Sequence, residues 1–373
     1  MRSHGAPTAS RRSSATSTSP RTRRRPRRTA RTPPTPTPTP PRRTTTPDPV
    51  STVAEVAEVV RGADALALAC HHHPDGDALG SMLAMQLLCE ANGKASEASW
   101  PSPWVVAPHY EFLPGLDRCI PPSEFPTDPE VLITFDLGRV ERLGDLAPAA
   151  ERAAQVVVLD HHPDNQRFGT HNLVDESVAA TAVLVRQLAD ALGWSLTRDV
   201  ALNLYVGLVT DTGRFRYPNT TPEVFHLAEE LAEYDLPIAR ITRELFEKHR
   251  FQYVQLLSMA LARTELDTDH GFVVAWLTQQ DLEDFDVSFD ETEGFIDHVR
   301  ACQEADVACV LRESPGEGLR VSLRSTGSTD VAELAAHFGG GGHAFMAGFP
   351  SDRPILEVIE AIRALLPERT VPA

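Results

Sequence analysis

The chain has 373 residues, an apolar share of 42% and a formal net charge of −17. This length suggests two or three domains, and the apolar share excludes a disordered or fibrous chain. No apolar run approaches the roughly 18 residues of a membrane-spanning helix. The likeliest false candidate for such a helix, "ALNLYVGLVT", has ten residues, so we expect a soluble protein without a membrane segment.

The charge is distributed unevenly along the chain. Residues 1–49 contain 12 arginines, no lysine and a single acid, Asp48, so the rest of the chain carries a formal charge of −28. Long duplex DNA is bound by basic surfaces through counterion release. The acidic body therefore argues against long duplex DNA as a partner, and it is compatible with a pocket in which metal ions meet phosphates.

Two further features of the composition bear on the cellular compartment and on the folding of the N-terminal tail. The five cysteines are odd in number and form no CxxC pair, which favours a reducing compartment and predicts a cytoplasmic protein. Residues 1–49 are rich in Arg, Thr, Ser and Pro and are predicted to be disordered. Alternatives for this tail are weak attraction of RNA, or a true translation start near Val50.

Three short apolar runs each have the length of a strand and end at a polar cluster. They are "ALALAC" before His71, "VLITF" before Asp136 and "QVVVL" before Asp160. Near-continuous apolarity is typical of strands in a parallel sheet that is buried on both faces. Helical patterns such as "ALGSMLAMQLLCEA" alternate with these runs, which predicts an α/β fold with a doubly wound parallel sheet.

From Thr221 to about Arg263 the pattern is mainly helical, and a smaller α/β domain follows. Its predicted strands are "GFVVAWLT", "VACVLRE" and "LRVSLRS", and its closing helix is "PILEVIEAIRALL". We predict a catalytic domain at 50–236, a connecting helical region at 237–263 and a substrate-binding domain at 264–373. The active site is expected in the cleft between the two domains.

The first polar cluster, "HHHPDGDALGS" at 71–81, directly follows a predicted strand. Ligands of open α/β sheets bind beyond the carboxyl ends of the strands. Asp75 and Asp77 flank Gly76, so a tight turn could aim both carboxylates at one site, and His71 adds a nitrogen ligand. A polar turn that caps a helix is the alternative, but three consecutive histidines with two aspartates favour a metal site.

Three further groups complete the candidate site. Asp136 ends "VLITFD", Asp160, His161 and His162 end "VVVLDHH", and Asp211 ends "GLVTD". Taken alone, Asp136 or Asp211 could be only a helix cap. Two adjacent histidines point in different directions, so one of His161 and His162 can bind metal while the other faces a phosphate.

Together these groups supply two histidines and four aspartates as ligands. An oxygen-rich set of this kind suits Mn²⁺, with Mg²⁺ or Co²⁺ as alternatives. Six ligands are too many for one zinc ion with an open position. They suffice for two ions about 3.5–4 Å apart that share one carboxylate, which predicts a two-metal centre acting at phosphorus.

The order HxxPDGD, a lone strand-end aspartate, DHH and TDTG resembles the DHH phosphoesterase family. The segment "GGGGHAFMAG" is similar to the DHH-associated C-terminal domain, and the resemblance covers about residues 52–373. Length and the "SLRS…GGGGH" ending resemble the oligoribonuclease and pAp-phosphatase branch, the nanoRNases, which includes cyclic-dinucleotide phosphodiesterases. One departure is Met346, which stands where the family motif has alanine.

The resemblance implies a role for each matching residue. Asp136 would bridge the two ions, and His71 and Asp75 would complete the ligands of one of them. His162 would contact the scissile phosphate as a catalytic donor, and Asp160 would orient its neighbours. The full set of implied metal ligands is His71, Asp75, Asp77, Asp136, His161 and Asp211.

The glycine run of the second domain predicts where the far end of the substrate binds. Consecutive glycines let backbone N–H groups approach a phosphate, and an arginine–serine pair offers donors for a terminal phosphate. A flexible loop is the alternative. The predicted contact residues are Arg324, Ser325, Gly340, Gly341, Gly342 and His343.

The sequence therefore predicts a metal-dependent phosphoesterase that converts short oligoribonucleotides to 5′-mononucleotides, pAp to AMP, or both. Cleavage of cyclic di-AMP or linear pApA is an alternative, because it needs the same metal site. Alternatives of another class are a non-catalytic nucleotide sensor and an RNA tether formed by the tail. Family analogy also suggests a homodimer.

Overall fold

A five-stranded parallel sheet forms the first half of the computed structural model, which describes residues 50–316 and 318–369. The strand order β2-β1-β3-β4-β5 reverses between β1 and β3, and ligands of such sheets bind at this switch point. The strands are β1 (Ala65–Cys70), β2 (Ala95–Ser99), β3 (Val131–Phe135), β4 (Gln155–Asp160) and β5 (His171–Val174).

Helices cover both faces of this sheet. Leu66 and Leu68 of β1 join one apolar cluster, whereas Ala67 and Ala69 join another on the opposite face. The predicted doubly wound arrangement is therefore confirmed. The helices of this half are α1 (Val53–Gly62), α2 (Gly76–Ala91), α3 (Ala147–Arg152), α4 (Thr181–Leu192), α5 (Arg198–Asp211) and α6 (Pro222–Ala232).

Two helices, α7 (Ile238–Phe246) and α8 (Phe251–Ala262), connect the two sheets. The sequence pattern suggested one helical stretch here, but the structure breaks it before Arg250. Neither glycine nor proline marks this break in the sequence. In the structure, Arg250 at the break donates a hydrogen bond to Glu291 at 2.8 Å. The predicted domain limits at 236 and 263 stay predictions.

A mixed six-stranded sheet, ordered β10-β11-β9-β8-β7-β6, forms the second lobe and confirms the predicted C-terminal α/β region. Its strands are β6 (Glu265–Asp267), β7 (Phe272–Leu277), β8 (Val307–Ser314), β9 (Gly318–Ser325), β10 (Gly341–His343) and β11 (Met346–Ser351). Its helices are α9 (Gln279–Phe285), α10 (Phe295–Val299), α11 (Val331–Ala336) and α12 (Ile355–Arg363). The glycine run thus forms a short antiparallel hairpin, β10–β11, rather than an open loop.

The described residues belong to one compact unit. Among them, no helix is both long and apolar enough to cross a membrane. The tail at 1–49, predicted to be disordered, lies outside the described residues.

A buried carboxylate fixes the loop that leads from β9 to α11. Asp306 is 5% exposed and accepts hydrogen bonds from Thr329 Oγ1 at 2.6 Å, Thr326 Oγ1 at 2.8 Å and Ser328 N–H at 3.2 Å. Burial alone would raise the pKa of Asp306, but the hydrogen bonds from Thr329 and Thr326 outweigh it and hold that pKa below its usual value.

We expect Asp306→Ala to lower the free energy of unfolding at pH 7 by about 2–4 kcal/mol, because it removes several hydrogen bonds to a charged group. A lowered folded-state pKa stabilises the fold above the unfolded pKa of about 3.9, and this contribution is lost as the pH falls through the folded value. Urea unfolding at pH 7 and at about pH 2, which is below the unfolded pKa, checks both points. The exposed control Asp352→Ala should stay within about 0.5 kcal/mol of wild type, and equal losses in the two variants would contradict the prediction.

Candidate active site

The structure brings all six predicted metal ligands to the carboxyl edge of the first sheet. His71 follows β1, Asp136 follows β3, and His161 follows β4. Asp75 caps α2, since its Oδ1 accepts the backbone N–H groups of the first turn. Asp75 is therefore both the cap of α2 and one of the predicted metal ligands. Asp211 is the last residue of α5.

One oxygen of Asp136 faces a first group of ligands. Asp136 Oδ2 lies 3.5 Å from His71 Nε2, and Asp75 Oδ2 lies 3.9 Å from the same nitrogen. His71 and Asp136 are both buried. These three residues place one donor atom each within 4.8 Å of one another, close enough to hold a metal ion.

The other oxygen of Asp136 faces a second group. Asp136 Oδ1 lies 3.5 Å from His161 Nε2, and that nitrogen lies 3.0 Å from Asp211 Oδ2 and 3.9 Å from Asp77 Oδ2. All four side chains are buried. Asp136 thus stands between two ligand groups with one carboxylate oxygen directed at each.

The backbone at Asp136 is unusual for a strand end. Its φ is +57°, in the left-handed region that aspartate and asparagine enter more readily than most residues. Thr181 Oγ1 donates to Asp136 Oδ1 at 3.1 Å. This conformation and this hydrogen bond fix the carboxylate between the two groups.

The N-terminus of α4 holds Asp77. Asp77 accepts hydrogen bonds from Thr181 N–H at 2.5 Å and Ala182 N–H at 3.0 Å, and from Ser81 Oγ at 3.1 Å. The first N–H groups of a helix favour negative charge. Nothing in the sequence pattern had singled out Thr181 as part of the site.

Gly76 lies between Asp75 and Asp77, where the sequence predicted a tight turn. In the structure, a glycine is needed there for a different reason, namely helix packing. Gly76 begins α2, and a Cβ there would lie 2.5 Å from Thr210 Cγ2 on α5. Gly207 has a similar role, since its Cβ would lie 2.6 Å from Asp77 Oδ1. Glycine at these positions lets α2 and α5 approach closely, and that approach places Asp77.

The donor set fits divalent cations. His71 Nδ1 donates to the His72 carbonyl at 2.8 Å and His161 Nδ1 to the Val178 carbonyl at 3.3 Å, which leaves each Nε2 lone pair directed at carboxylates. The buried His161 Nε2 makes no hydrogen bond among the described residues. Two imidazole nitrogens among four carboxylates form an oxygen-rich set of the kind that Mn²⁺ and Mg²⁺ accept.

The electrostatics of the cluster agree with this fit. Burial, and then the neighbouring Asp136, raise the pKa of Asp75 to about 6. Burial, followed by Asp136 and Asp211, also raises the pKa of Asp77. Cations bound among these carboxylates would relieve their mutual repulsion.

His162 and Asp160 form a pair beside the ligand cluster. His162 Nδ1 donates to Asp160 Oδ1 at 2.8 Å, and the same oxygen accepts His161 N–H at 2.9 Å. Asn165 Nδ2 donates to the other oxygen of Asp160. The buried carboxylate therefore sets the orientation of both histidines of the motif.

We expect Asp160→Asn to lower kcat about 10- to 100-fold, the range typical of partners that orient metal ligands. Bound metal and KM should change little, because no predicted ligand is removed. Steady-state kinetics and metal analysis check this, with Asp175→Asn, a turn carboxylate after β5, as the matched control. An unchanged kcat would show that Asp160 does not orient the reacting groups.

The second lobe reaches this cluster through the glycine hairpin. The His343 ring stacks on His162 with centroids 4.8 Å apart, and its Nε2 is buried without a hydrogen bond among the described residues. Burial, and then His162, lower the pKa of His343 to about 3. Gly341 lies so close to the first lobe that a Cβ would be 2.1 Å from Asp164 Oδ2, and Gly342 has a φ of +135°.

The remaining predicted contact residues differ in placement. Arg324 donates from Nε to Tyr217 Oη at 3.2 Å and lines a cavity of about 160 Å³ beside Asp75 and Asp211. Ser325 is buried, and its Oγ accepts Gly327 N–H. Gly340 packs against β11, where a Cβ would lie 2.2 Å from the Gly348 carbonyl oxygen.

Several cleft residues escaped the sequence reasoning. Asp297 on α10 accepts hydrogen bonds from Arg214, Arg216 and Tyr217 of the first lobe. The "GRFRY" segment directly after "TDT" was the available signal for the first-lobe partners. No pattern in the sequence pointed to Asp297, because its partners come from another lobe.

Comparison with known proteins agrees with this geometry. A model described as the DHH family, N-terminal domain, matches residues 66–208, and a DHHA1 domain model matches residues 269–369. A bifunctional oligoribonuclease and PAP phosphatase NrnA from Thermus thermophilus is 33% identical, with 83% of this chain and 92% of that protein covered. The chain belongs to the DHH phosphoesterase family.

Other relatives are consistent with this assignment. The NrnA of Bacillus subtilis is 27% identical over 76% of this chain and 88% of its own length. An exopolyphosphatase-related protein from Bacteroides fragilis shares the fold, with a TM-score of 0.75, 22% identity and coverage of 84% of this chain and 94% of that one. This DHH protein is thus a metal-dependent phosphoesterase, and its acidic cluster can bind metal.

Proposed function

We propose that this DHH phosphoesterase hydrolyses short oligoribonucleotides to 5′-mononucleotides and pAp to AMP. The observation that carries the proposal is the division of the two Asp136 oxygens between two groups of ligands. The two activities in the name of the Thermus thermophilus relative, oligoribonuclease and PAP phosphatase, support the choice of substrates. The acidic body and the small cavity beside the cluster favour short ligands.

Two divalent ions, Mn²⁺ in our proposal, would be held by the two groups. Asp136 would bridge them, His71 and Asp75 would complete the first group, and the second would contain Asp77, His161 and Asp211. Bound ions of this kind activate water and neutralise charge that develops on phosphate oxygens.

The chain's own residues would orient the substrate and move the proton. The Asp160 carboxylate holds His162 by Nδ1, so Nε2 is the atom available to a phosphate oxygen. Arg324 would bind a terminal phosphate from the second lobe. Water adds to phosphorus, the bond from phosphorus to the 3′-oxygen breaks, and that oxygen leaves with a proton as a hydroxyl group.

The fit between the lobes would restrict access of bulk water and of long chains. His343 stacks on His162 from the second lobe, and Asp297 bonds to three residues of the first. We propose that the second lobe binds the distal end of the substrate while the first lobe cuts. The cytoplasmic location and the homodimer also remain proposals, and light scattering after gel filtration tests the dimer.

Product analysis with Mn²⁺ on four substrates tests the function. We expect turnover of pApA, a short RNA and pAp, with 5′-mononucleotides as products of the first two. Faster cleavage of cyclic di-AMP than of these three would favour the cyclic-dinucleotide alternative. If every substrate stays intact although metal is bound, the proposal is overturned. The non-catalytic nucleotide sensor would then be the better account of the protein.

Deleting residues 1–49 tests the RNA-tethering alternative. We expect unchanged kcat and KM on pApA, because every residue assigned to the centre lies at His71 or later in the chain. A rise in KM for a short RNA but not for pApA would support a contribution of the tail.

A further inference from the structure

Tyr217 of the first lobe joins two residues of the second lobe through its hydroxyl group. The residue follows the candidate ligand Asp211 in the segment "TDTGRFRY" and is 5% exposed. Its hydroxyl accepts a hydrogen bond from Arg324 Nε at 3.2 Å and donates one to Asp297 Oδ1 at 3.4 Å. A phenolic hydroxyl can donate and accept at once, so one oxygen of the first lobe links β9 to α10.

The turn after the candidate ligand group fixes the place of the tyrosine ring. Gly213 has a φ of +54°, and a Cβ on it would lie 2.5 Å from Tyr217 Cε2, so the turn packs tightly against the ring. Tyr217 N–H also donates to the Thr212 carbonyl at 3.0 Å. From the second lobe, the Arg300 guanidinium lies over the ring, 4.7 Å from its centroid. Tyr217 is thus held by both lobes.

The bonds to Arg324 determine the direction of its guanidinium. Nε donates to the Tyr217 hydroxyl, and Nη1 donates to the Leu323 carbonyl at 3.0 Å. Two bonds to one planar group fix its plane. Burial alone would raise the pKa of Asp297 and of Glu293, and Arg324 is one of the cations that hold both below their usual values. These carboxylates attract the guanidinium, so its direction depends on the groups bonded to it.

The ring of Tyr217 begins a row of aromatic side chains that crosses the cleft. Its centroid lies 5.3 Å from that of Phe345, and Phe345 stacks on His343 at 5.6 Å. His343 in turn stacks on His162 at 4.8 Å, and its buried Nε2 makes no hydrogen bond among the described residues. Stacked aromatic pairs stabilise beyond the area that they bury. We call these four rings the aromatic row.

Strand register places both targets of Tyr217 side by side. Met346 of β11 pairs with Arg324 on β9 and with His343 on β10. Directly opposed residues of antiparallel strands share one face of the sheet. Phe345 lies in the turn between His343 and Met346. Tyr217 therefore contacts one end of this three-strand row by its hydroxyl and reaches the other end through Phe345.

We propose that Tyr217 is a positioning residue that aligns the second lobe with the candidate centre. Its hydroxyl orients Arg324 toward a terminal phosphate, and its ring holds His343 against His162 through Phe345. The inference rests on the proposed function and deepens it. In pApA the phosphate to be cut is on the 3′-oxygen and the terminal phosphate is on the 5′-oxygen of one nucleoside, so both contacts must be correctly spaced.

Two variants separate the hydroxyl from the ring. Tyr217→Phe removes the hydroxyl alone, whereas Phe345→Leu interrupts the aromatic row and leaves the hydroxyl in place. The full-length, Mn²⁺-loaded proteins are assayed on pApA and on ApA, which lacks the 5′-phosphate. Tyr234→Phe is the matched control, because Tyr234 is half-buried in a groove beside Arg186 and Trp194, outside the cleft.

Tyr217→Phe should raise KM for pApA about tenfold, the effect of a hydrogen bond to a charged group. Its kcat, and its KM for ApA, should stay at the wild-type values, because ApA carries no phosphate for Arg324. Phe345→Leu should instead lower kcat about tenfold on both substrates, since a small displacement near the reacting groups slows the chemical step. The ratio of the two KM values should stay that of wild type in this variant and in Tyr234→Phe.

Equal losses on pApA and ApA in Tyr217→Phe would overturn the inference, as would wild-type kinetics in that variant. Thermal unfolding of each variant at the wild-type temperature excludes a folding defect as the cause. If Phe345→Leu does not fold, the comparison of pApA with ApA in Tyr217→Phe decides alone. Absence of pApA cleavage by the wild type would instead overturn the proposed function.

Discussion

Asp136→Asn is expected to lower kcat/KM for pApA by more than about 100-fold, because even residues that only orient metal ligands contribute about 10- to 100-fold. Asp136 is the residue whose two oxygens face both ligand groups, at 3.5 Å from His71 Nε2 and 3.5 Å from His161 Nε2. The amide offers one oxygen acceptor in place of two and carries no charge. Steady-state kinetics with added Mn²⁺ and metal analysis of the purified variant measure the loss.

Asparagine is the right replacement because the backbone of Asp136 has a φ of +57°, which asparagine tolerates better than alanine. Thr181 Oγ1 can still donate to the remaining oxygen. The thermal unfolding of wild type and variant in EDTA should therefore be similar. Wild-type turnover by a folded Asp136→Asn protein would show that this carboxylate does not bridge the centre.

Gly207→Ala is expected to reduce activity at least about 100-fold without touching any ligand directly. The added Cβ would lie 2.6 Å from Asp77 Oδ1 and 2.9 Å from Ala182 Cβ, so either Asp77 or the start of α4 must move. Displacement of about 1 Å within an active site can cost 100-fold. Overpacking should also lower the free energy of unfolding by about 1–3 kcal/mol, partly offset by the higher helix propensity of alanine.

Gly62→Ala is the matched control for this substitution. A Cβ at Gly62, the last residue of α1, meets nothing within 4 Å, so the variant should keep wild-type activity and gain up to about 1 kcal/mol of stability. Kinetics and urea unfolding of both variants form one experiment. Full activity and metal binding in Gly207→Ala would mean that close packing of α2 and α5 does not position Asp77.

The ligand cluster was predictable because it depends on local patterns and one topological rule. Buried strands are read from apolar runs such as the one before His71, and the carboxyl ends of parallel strands meet at one edge. The polar residues after β1, β3 and β4 therefore had to converge. Asp211 ends a helix rather than a strand, and its place after the apolar run "GLVT", together with the other polar clusters, supplied its inclusion.

Features that depend on packing between elements were not predictable in the same way. Glycines disfavour strands, yet the run at 339–342 contributes to the β10–β11 hairpin because β11 pairs with β9. The role of Gly76 emerged only with the neighbouring Thr210 on α5.

The most direct test of the central claim is to titrate the metal-free, full-length protein with Mn²⁺, measuring bound ions per chain and cleavage of pApA in the same samples. We predict that two ions bind per chain and that AMP forms as the ligand groups around Asp136 fill. Intact pApA at full occupancy by two ions would contradict the account, as would cleavage at an undiminished rate in the presence of excess EDTA.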